Sequence, residues 1–428
     1  MKRKSINNFF QERCIGGCKS KDFWGTIKPY MSSKTKNNQN KIILNENQNT
    51  LSDNSKVADI FNDFYINVAK DIGKDFIFDK SNHPSIEKIL GQNISPDSFN
   101  FTQVEQSTVS NILRKFNVKK ATGIDKISIK LLKLGSQSLV PFYTHFINNS
   151  IDTGIFPDRL KQAQVTPVFK KNDPLEKSNY RPVSILPAPS KFFEKVLSNQ
   201  LTIHFDNIFD NFLCAFRKGH GCQTTLLKLV EDWKLALDSN QYVAAILMDL
   251  SKAFDCLPHD ILICKLECYG LSKNSINLLT SYLSNRKQQI KVGNSVSSWA
   301  NIIKGVPQGS ILGPLLFNIF LNDIFYFIHR GTLYNYADDN TLSFCSSNFN
   351  ELVEVLQEES NILIDWFTFN CMQANPDKFQ AIAIGSKTSS RNPNFDIKNA
   401  NIECDDIVKL LGVNLDSNLN FDFHIRSI

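Results

Sequence analysis

The chain has 428 residues, of which 42% are hydrophobic and 21% charged, so it can bury a large core and is not an intrinsically disordered protein. Lys and Arg outnumber Asp and Glu by 48 to 42, a net charge of +6 that permits a polyanionic partner without requiring one. No uncharged apolar run reaches the roughly 18 residues of a membrane-spanning helix, and ten scattered cysteines without a signal-peptide pattern suggest reduced thiols inside the cell.

Residues 1–30 mix basic and aromatic side chains, among them Lys2, Arg3, Phe9, Phe10 and Trp24. Cys14 and Cys18 flank two glycines there, but no second ligand pair completes a zinc site. From Met31 to about Lys56 the composition turns to Ser, Asn and Lys, a linker in which residues 40–44 and 50–51 could pair as a short hairpin. Val57, Ile60, Phe61, Phe64, Val68 and Ile72 then recur at helical spacing. Thr102-Gln103-Val104-Glu105 has the form of a capping box before a helix carrying Val109, Ile112, Leu113 and Phe116. A basic turn from Lys119 to Ser128 leads to helices near 129–135 and 139–152.

Gln164 to Lys171 alternates into a basic pair, Asn172-Asp173-Pro174 turns, and Ser178 to Leu186 returns, the outline of a hairpin. A helix over 190–204 precedes Ala215-Phe216-Arg217-Lys218-Gly219-His220-Gly221, a basic, glycine-bearing turn, and a second helix over 224–237. Tyr242 to Met248 is an almost unbroken apolar run that ends in Asp249, as a fully buried strand would deliver a charge to its end. A lone acid there could equally cap a helix. Cys264 and Cys268 stand one helical turn apart and read as core. His259 reads as a brace for the turn after Pro258, while Arg286 and Lys287 could face phosphate.

In Gly305-Val306-Pro307-Gln308-Gly309-Ser310, Pro307 forces Val306 towards extended backbone, and Gly309 leaves room for a close backbone approach. Pro314 then opens a helix over 315–328. Leu333 to Phe344 reads as strand, tight turn and strand, with Asp338, Asp339 and Asn340 at the tip. Adjacent carboxylates repel, and a divalent cation shared with a third carboxylate would offset that repulsion. Asp249 is the candidate third acid. Acids from different strands around two ions about 3.5–4 Å apart are what phosphoryl transfer by paired metals requires.

Three blocks in this order and spacing resemble the reverse transcriptases of non-LTR retrotransposons, in particular the jockey-like long interspersed elements. They are Met248-Asp249-Leu250-Ser251-Lys252-Ala253-Phe254-Asp255, Gly305-Val306-Pro307-Gln308-Gly309-Ser310-Ile311-Leu312-Gly313-Pro314, and Tyr336-Ala337-Asp338-Asp339. The resemblance runs from about residue 100 to 425. It implies an α+β right-hand polymerase, with an antiparallel palm sheet backed by helices, inserted fingers and a thumb truncated or missing. Residues 1–100 would precede the polymerase, 101–425 would form fingers and palm, and 426–428 would begin the thumb.

The same resemblance implies roles for individual residues. Asp249, Asp338, Asp339 and the Leu250 backbone would hold two Mg²⁺ ions, with Mn²⁺ as a substitute. Lys170 and Arg181 would clamp the triphosphate, and Phe254 would exclude a 2′-hydroxyl from the sugar site. Gln308 and Gly309 would line the nucleotide site, and Lys378 would protonate the departing pyrophosphate, although Phe379 stands where a threonine is common. Arg217 and Lys218 would contact template, and Leu411-Gly412 would form the primer grip. The partners would be an RNA template, a DNA primer and deoxynucleotides, in the nucleus if a nicked target primes synthesis. An RNA-directed RNA polymerase would want a smaller residue than Phe254, and an intron maturase would add an RNA-binding domain. A decayed fragment that only binds nucleic acid would not need its acids intact.

Overall fold

The computed structural model describes residues 42–46, 49–73, 78–385, 393–398 and 400–428. The basic and aromatic stretch at 1–30, with Cys14 and Cys18, lies outside the described residues. The architecture is mixed α and β, with two five-stranded sheets and three separate hairpins among the described residues.

The central sheet is built on β5 (Tyr242–Ser251), which pairs on one side with β10 (Asp339–Ser346) and on the other with β11 (Gln373–Ala374) and β12 (Gln380–Ile384). β9 (Thr332–Tyr336) completes the edge beyond β10, and every pairing is antiparallel. Alternate residues of a strand face opposite ways. Ala244, Ile246, Met248 and Leu250 therefore enter the main core, whereas Val243, Ala245 and Leu247 enter a second core with Leu229 and Trp233. Because both faces are covered, the run is apolar throughout and not alternating.

The helical layer over the main core includes α6 (Ala188–Phe205), α9 (His259–Cys268), α11 (Gly313–Leu321) and α12 (Phe349–Phe369). Helix α11 begins with Pro314 in its first turn, as the sequence suggests, but it ends at Leu321 and runs on as a 3₁₀ turn over Asn322–Tyr326. Asn322 and Asp323 account for the change, since both are fully buried and hydrogen-bonded sideways to other elements.

The second sheet joins β3 (Gln162–Phe169), β4 (Tyr180–Ile185), β6 (Arg286–Val292), β7 (Ser295–Val296) and β8 (Ala300–Ile302). β3 and β4 form the expected basic hairpin, while β3 and β6 run parallel. The N-terminal helix α1 (Asn54–Asp71) lies on this sheet, packing Phe61 and Tyr65 into one core with Val165, Tyr180 and Ile290. A short hairpin of β1 (Leu44–Glu46) and β2 (Asn49–Leu51) precedes it.

Two expectations fail on contact, and a third takes a specific form. The capping box does not form: helix α3 (Gln106–Lys115) starts with Glu105 as an N-cap whose side chain accepts from no backbone N–H of the first turn. Thr102 is instead held by Gln200, whose Oε1 accepts from its backbone N–H at 2.9 Å. Arg286 does not reach phosphate, because it is fully buried, donates to the Tyr282 carbonyl at 2.9 Å and stacks its guanidinium on the Tyr282 ring. The close approach that Gly309 permits is to protein backbone. A Cβ there would lie 2.4 Å from the Ser184 carbonyl, at a φ of +131°.

Candidate active site

The end of the central sheet gathers the acids. Asp339 is the first residue of β10 and stands opposite Asp249 of β5 in the antiparallel register. Residues opposite each other in such a pair project from the same face, so these like charges repel at short range. The turn itself is Ala337-Asp338, tighter than the sequence suggests, with Ala337 at a φ of +59°. Two buried asparagines brace it: Asn335 donates to the Ala337 carbonyl and to Asn340 Oδ1, each at 2.9 Å.

Crowding shows in the acidities. Burial, then the Asp249 charge, raises the Asp338 carboxyl above its ordinary range. The Asp339 side chain is exposed as a whole, yet desolvation at its carboxyl and repulsion from Asp338 and Asp249 push it up to about 6. A cation already touches this cluster. Lys378 Nζ lies 2.7 Å from Asp249 Oδ2, and the turn that carries it is anchored where Asn375 N–H donates to the Asp249 carbonyl at 3.1 Å. Among the described residues no three His, Cys, Asp or Glu side chains close on a single point as a finished metal cage.

The β3–β4 hairpin brings cations near these acids. Lys170 follows β3 and Arg181 lies on β4, both exposed, and Lys170 is within electrostatic reach of Asp249 and Asp338. Desolvation, then the neighbouring Arg181, lowers the Lys170 amine. The acids of one sheet thus face the cations of the other.

Five residues beyond Asp249 the chain joins an aromatic cluster. Phe254 stacks on Phe317 with centroids 4.2 Å apart and meets Phe216 edge-on at 5.9 Å. His259 braces this region as expected, through a 2.7 Å bond to the Gly305 carbonyl. Gly305 needs its bare Cα, since a Cβ would fall 2.4 Å from the Asp255 carbonyl. Gln308 donates through Nε2 to both Asp255 oxygens, at 2.8 and 3.0 Å, and its backbone carbonyl accepts from Ser184 N–H at 2.8 Å.

The remaining candidates divide. Leu411 and Gly412, with φ of +48° and +88°, form the tip of the β15 (Ile407–Leu410) and β16 (Val413–Asp416) hairpin. Leu411 lines a recess that Asp249, Asp339 and Lys378 share. Lys218 is exposed. Arg217 is engaged within the protein, where it donates to the carbonyls of Asp210 at 2.5 Å and Leu213 at 2.9 Å and lies over the Phe209 ring.

Comparison with known proteins decides the family. The family described as reverse transcriptase (RNA-dependent DNA polymerase) matches residues 169–415. The chain belongs to the reverse transcriptase family. It is 29% identical over 343 residues to the probable RNA-directed DNA polymerase from transposon BS of Drosophila melanogaster, covering 74% of this chain and 36% of that protein. It is 28% identical over 344 residues to the RNA-directed DNA polymerase from the mobile element jockey of the same fly, covering 77% and 37%. A 27% identity over 334 residues links it to the X-element polymerase, covering 76% and 37%. These relatives place the chain with the jockey-like non-LTR elements, and it spans a little over a third of their length.

Two groups at this candidate site carry weight that the sequence alone did not assign them. Lys252, at a φ of +52°, places its amine over the Phe64 ring of α1 at 5.3 Å. Asp255 is the acceptor for Gln308. The signal was present, since both are charged residues within the apolar block that follows Asp249, but their partners lie far away in sequence.

Proposed function

We propose that the chain adds deoxynucleotides to a DNA 3′-hydroxyl on an RNA template, as the reverse transcriptase of a non-LTR element. The observation that carries this reading is a juxtaposition: Asp249, Asp338 and Asp339 meet at the end of one sheet, within electrostatic reach of Lys170 and Arg181 from the other. In this reading the central sheet and its helices are the palm, the second sheet carries the fingers, and residues 1–100 precede the polymerase proper.

The donor set suits divalent ions. All the groups are hard oxygens, they repel one another in the absence of a cation, and the Lys378 ammonium sits on Asp249 as a cation would. Two Mg²⁺ ions, or Mn²⁺, held by Asp249, Asp338, Asp339 and the Leu250 carbonyl, would activate the 3′-hydroxyl and neutralise the leaving pyrophosphate.

The chain's own residues then divide the work. Lys170 offers a point charge and Arg181 a planar fork to the triphosphate oxygens. Phe254, with its ring backed by Phe317, stands where a 2′-hydroxyl would collide, which selects deoxynucleotides and disfavours an RNA polymerase. Gln308 and Gly309 border the nucleotide from the β4 side. The primer 3′-hydroxyl gives up its proton to solvent and attacks the α-phosphate, the bond to pyrophosphate breaks, and Lys378, released from Asp249, gives its own proton to the departing oxygen. Lys218 faces the template, with Arg217 bracing the segment that carries it, and Leu411-Gly412 steady the primer. No helix among the described residues is long and apolar enough to cross a membrane. Synthesis primed on a nicked chromosome would place the work in the nucleus.

Primer extension on poly(rA)–oligo(dT) tests the reading. The account expects dTTP addition that requires Mg²⁺ or Mn²⁺ and stops with EDTA. Extension that survives EDTA, or none under any divalent ion, would contradict it.

A further inference from the structure

The turn that carries Asp338 is held from inside by side chains that take no part in the chemistry described above. Ala337 and Asp338 form a two-residue loop between β9 and β10, with a positive φ at Ala337 and not at Asp338. That pattern is a type II′ turn, whose first position favours glycine. An alanine side chain is strained there, so the turn residues alone do not dictate this shape. The other common two-residue turn, type I′, flips the peptide between the two residues and gives Asp338 a positive φ as well. Aspartate tolerates that conformation. The two shapes aim the Asp338 side chain differently, and the observed one leaves its carboxylate within electrostatic reach of Asp249.

Two amides select between them. Asn335 and Asn340 stand opposite each other in the β9–β10 register, and both are buried. Asn335 Nδ2 donates to the Ala337 carbonyl and to Asn340 Oδ1, each at 2.9 Å, while Asn340 Nδ2 donates to the Asp338 carbonyl at 3.3 Å. The peptide groups before and after Asp338 are therefore both held. A flip of the first would turn the Ala337 carbonyl away from Asn335. Asn335 is itself pinned, since its backbone N–H donates to the Phe212 carbonyl and its own carbonyl accepts from Cys214 N–H, both at 3.1 Å. Its Oδ1 is buried with no hydrogen-bond partner among the described residues. An unpaired buried acceptor is a cost that leucine would not carry, so stability alone does not account for an amide here.

We propose that Asn335 and Asn340 are positioning residues for Asp338, locking the peptides on either side of it so that the turn keeps the shape that sets this carboxylate beside Asp249. The inference rests on the polymerase reading above and adds to it the residues that fix one of its metal-binding acids.

The test uses the full chain and two readouts: dTTP addition on poly(rA)–oligo(dT), and Mn²⁺ binding without nucleotide, followed by electron paramagnetic resonance. Asn335→Leu keeps the side-chain volume, yet lowers kcat about a hundredfold, the scale of a ~1 Å misplacement. It also weakens Mn²⁺ binding about tenfold, as loss of a group that orients a ligand does. Glycine is at home in the first position of a II′ turn, so Ala337→Gly imposes the same shape by another route. Adding it to Asn335→Leu restores both readouts to within about twofold of Ala337→Gly alone. Asn340→Ala, which frees the Asp338 carbonyl, loses less and is rescued in the same way. Asn335→Ser, too short to bridge to the Ala337 carbonyl, serves if Asn335→Leu fails to fold. A loss that Ala337→Gly does not rescue makes Asn335 a merely structural residue and overturns the proposal alone. So does an Asn335 variant with wild-type rate and Mn²⁺ binding. A wild type that adds no dTTP overturns the polymerase reading and the proposal with it.

Discussion

Aspartates occupy two very different settings in this molecule. In the helical layer, Asp323 is fully buried and fully engaged: Oδ1 accepts from Lys265 Nζ at 2.6 Å, and Oδ2 from Trp366 Nε1 at 2.8 Å. Lys265 is equally buried, donates also to the Phe320 carbonyl at 2.9 Å and lies over both the Phe320 and Trp366 rings. Burial lowers its amine to about 8, against the pull of Asp323. At the end of the central sheet, the one ion pair that Asp249, Asp338 and Asp339 make among the described residues is with the exposed Lys378, and Lys170 and Arg181 act on them only at longer range. The first arrangement neutralises a charge within the protein and ties three helical segments together. The second leaves negative charge uncompensated, which costs stability and is useful only if a cation arrives from outside.

The largest effects should come from breaking the uncompensated site. Asp249→Asn or Asp338→Asn is expected to reduce primer extension by at least about a thousandfold, since several kcal/mol of metal-borne stabilisation is lost. The melting temperature should hold or rise, because repulsion is relieved. Extension rates and thermal melts on the same preparations check both halves of this prediction.

The compensated pair should respond in the opposite sense. Lys265→Ala leaves Asp323 charged and half-satisfied in the core, and is expected to cost about 3–5 kcal/mol of stability in denaturant unfolding. Whatever folded protein remains should extend primers at a near-normal rate per molecule.

Phe254→Val sharpens the contrast at the edge of the site. Phe317 supports one face of this ring, and the account assigns the free edge to excluding a 2′-hydroxyl. Ribonucleotide incorporation should rise about tenfold, the scale of a lost steric contact worth 1–3 kcal/mol, with a smaller change for deoxynucleotides. Equal exclusion by wild type and variant would make Phe254 a core residue only.

The smallest effect separates Arg217 from Lys218. Lys218→Ala should reduce the salt slope of template–primer binding by about 0.9 on duplex DNA. Arg217→Ala should leave the slope nearly unchanged and lower stability, since its guanidinium already serves the carbonyls of Asp210 and Leu213. A slope that changes with Arg217 and not with Lys218 would reverse these assignments.

The same contrast explains what the sequence could reveal. Tyr242 to Asp249 was legible because a strand buried on both faces leaves a continuous apolar run, and an acid after it has nowhere to hide. The β3–β4 hairpin was legible because its turn and its alternation are local. Partners distant in sequence were not. The parallel pairing of β3 with β6 and the seating of α1 on that sheet join segments about a hundred residues apart or more, and no local pattern encodes them. Arg286 and Arg217 misled for a related reason: a guanidinium in a polar stretch reads as surface, yet here each serves backbone carbonyls. Thr102 looked like a cap only because Gln200, which holds it, is 98 residues away.

The central claim is that the uncompensated acids form a two-ion site. The most direct measurement is a Mn²⁺ titration of the full chain with poly(rA)–oligo(dT) and dTTP, followed by electron paramagnetic resonance. The account predicts two tightly bound ions in the wild type, and loss of both in the Asp249→Asn, Asp338→Asn double variant. Two ions that persist in the double variant would place the metals elsewhere and contradict the account.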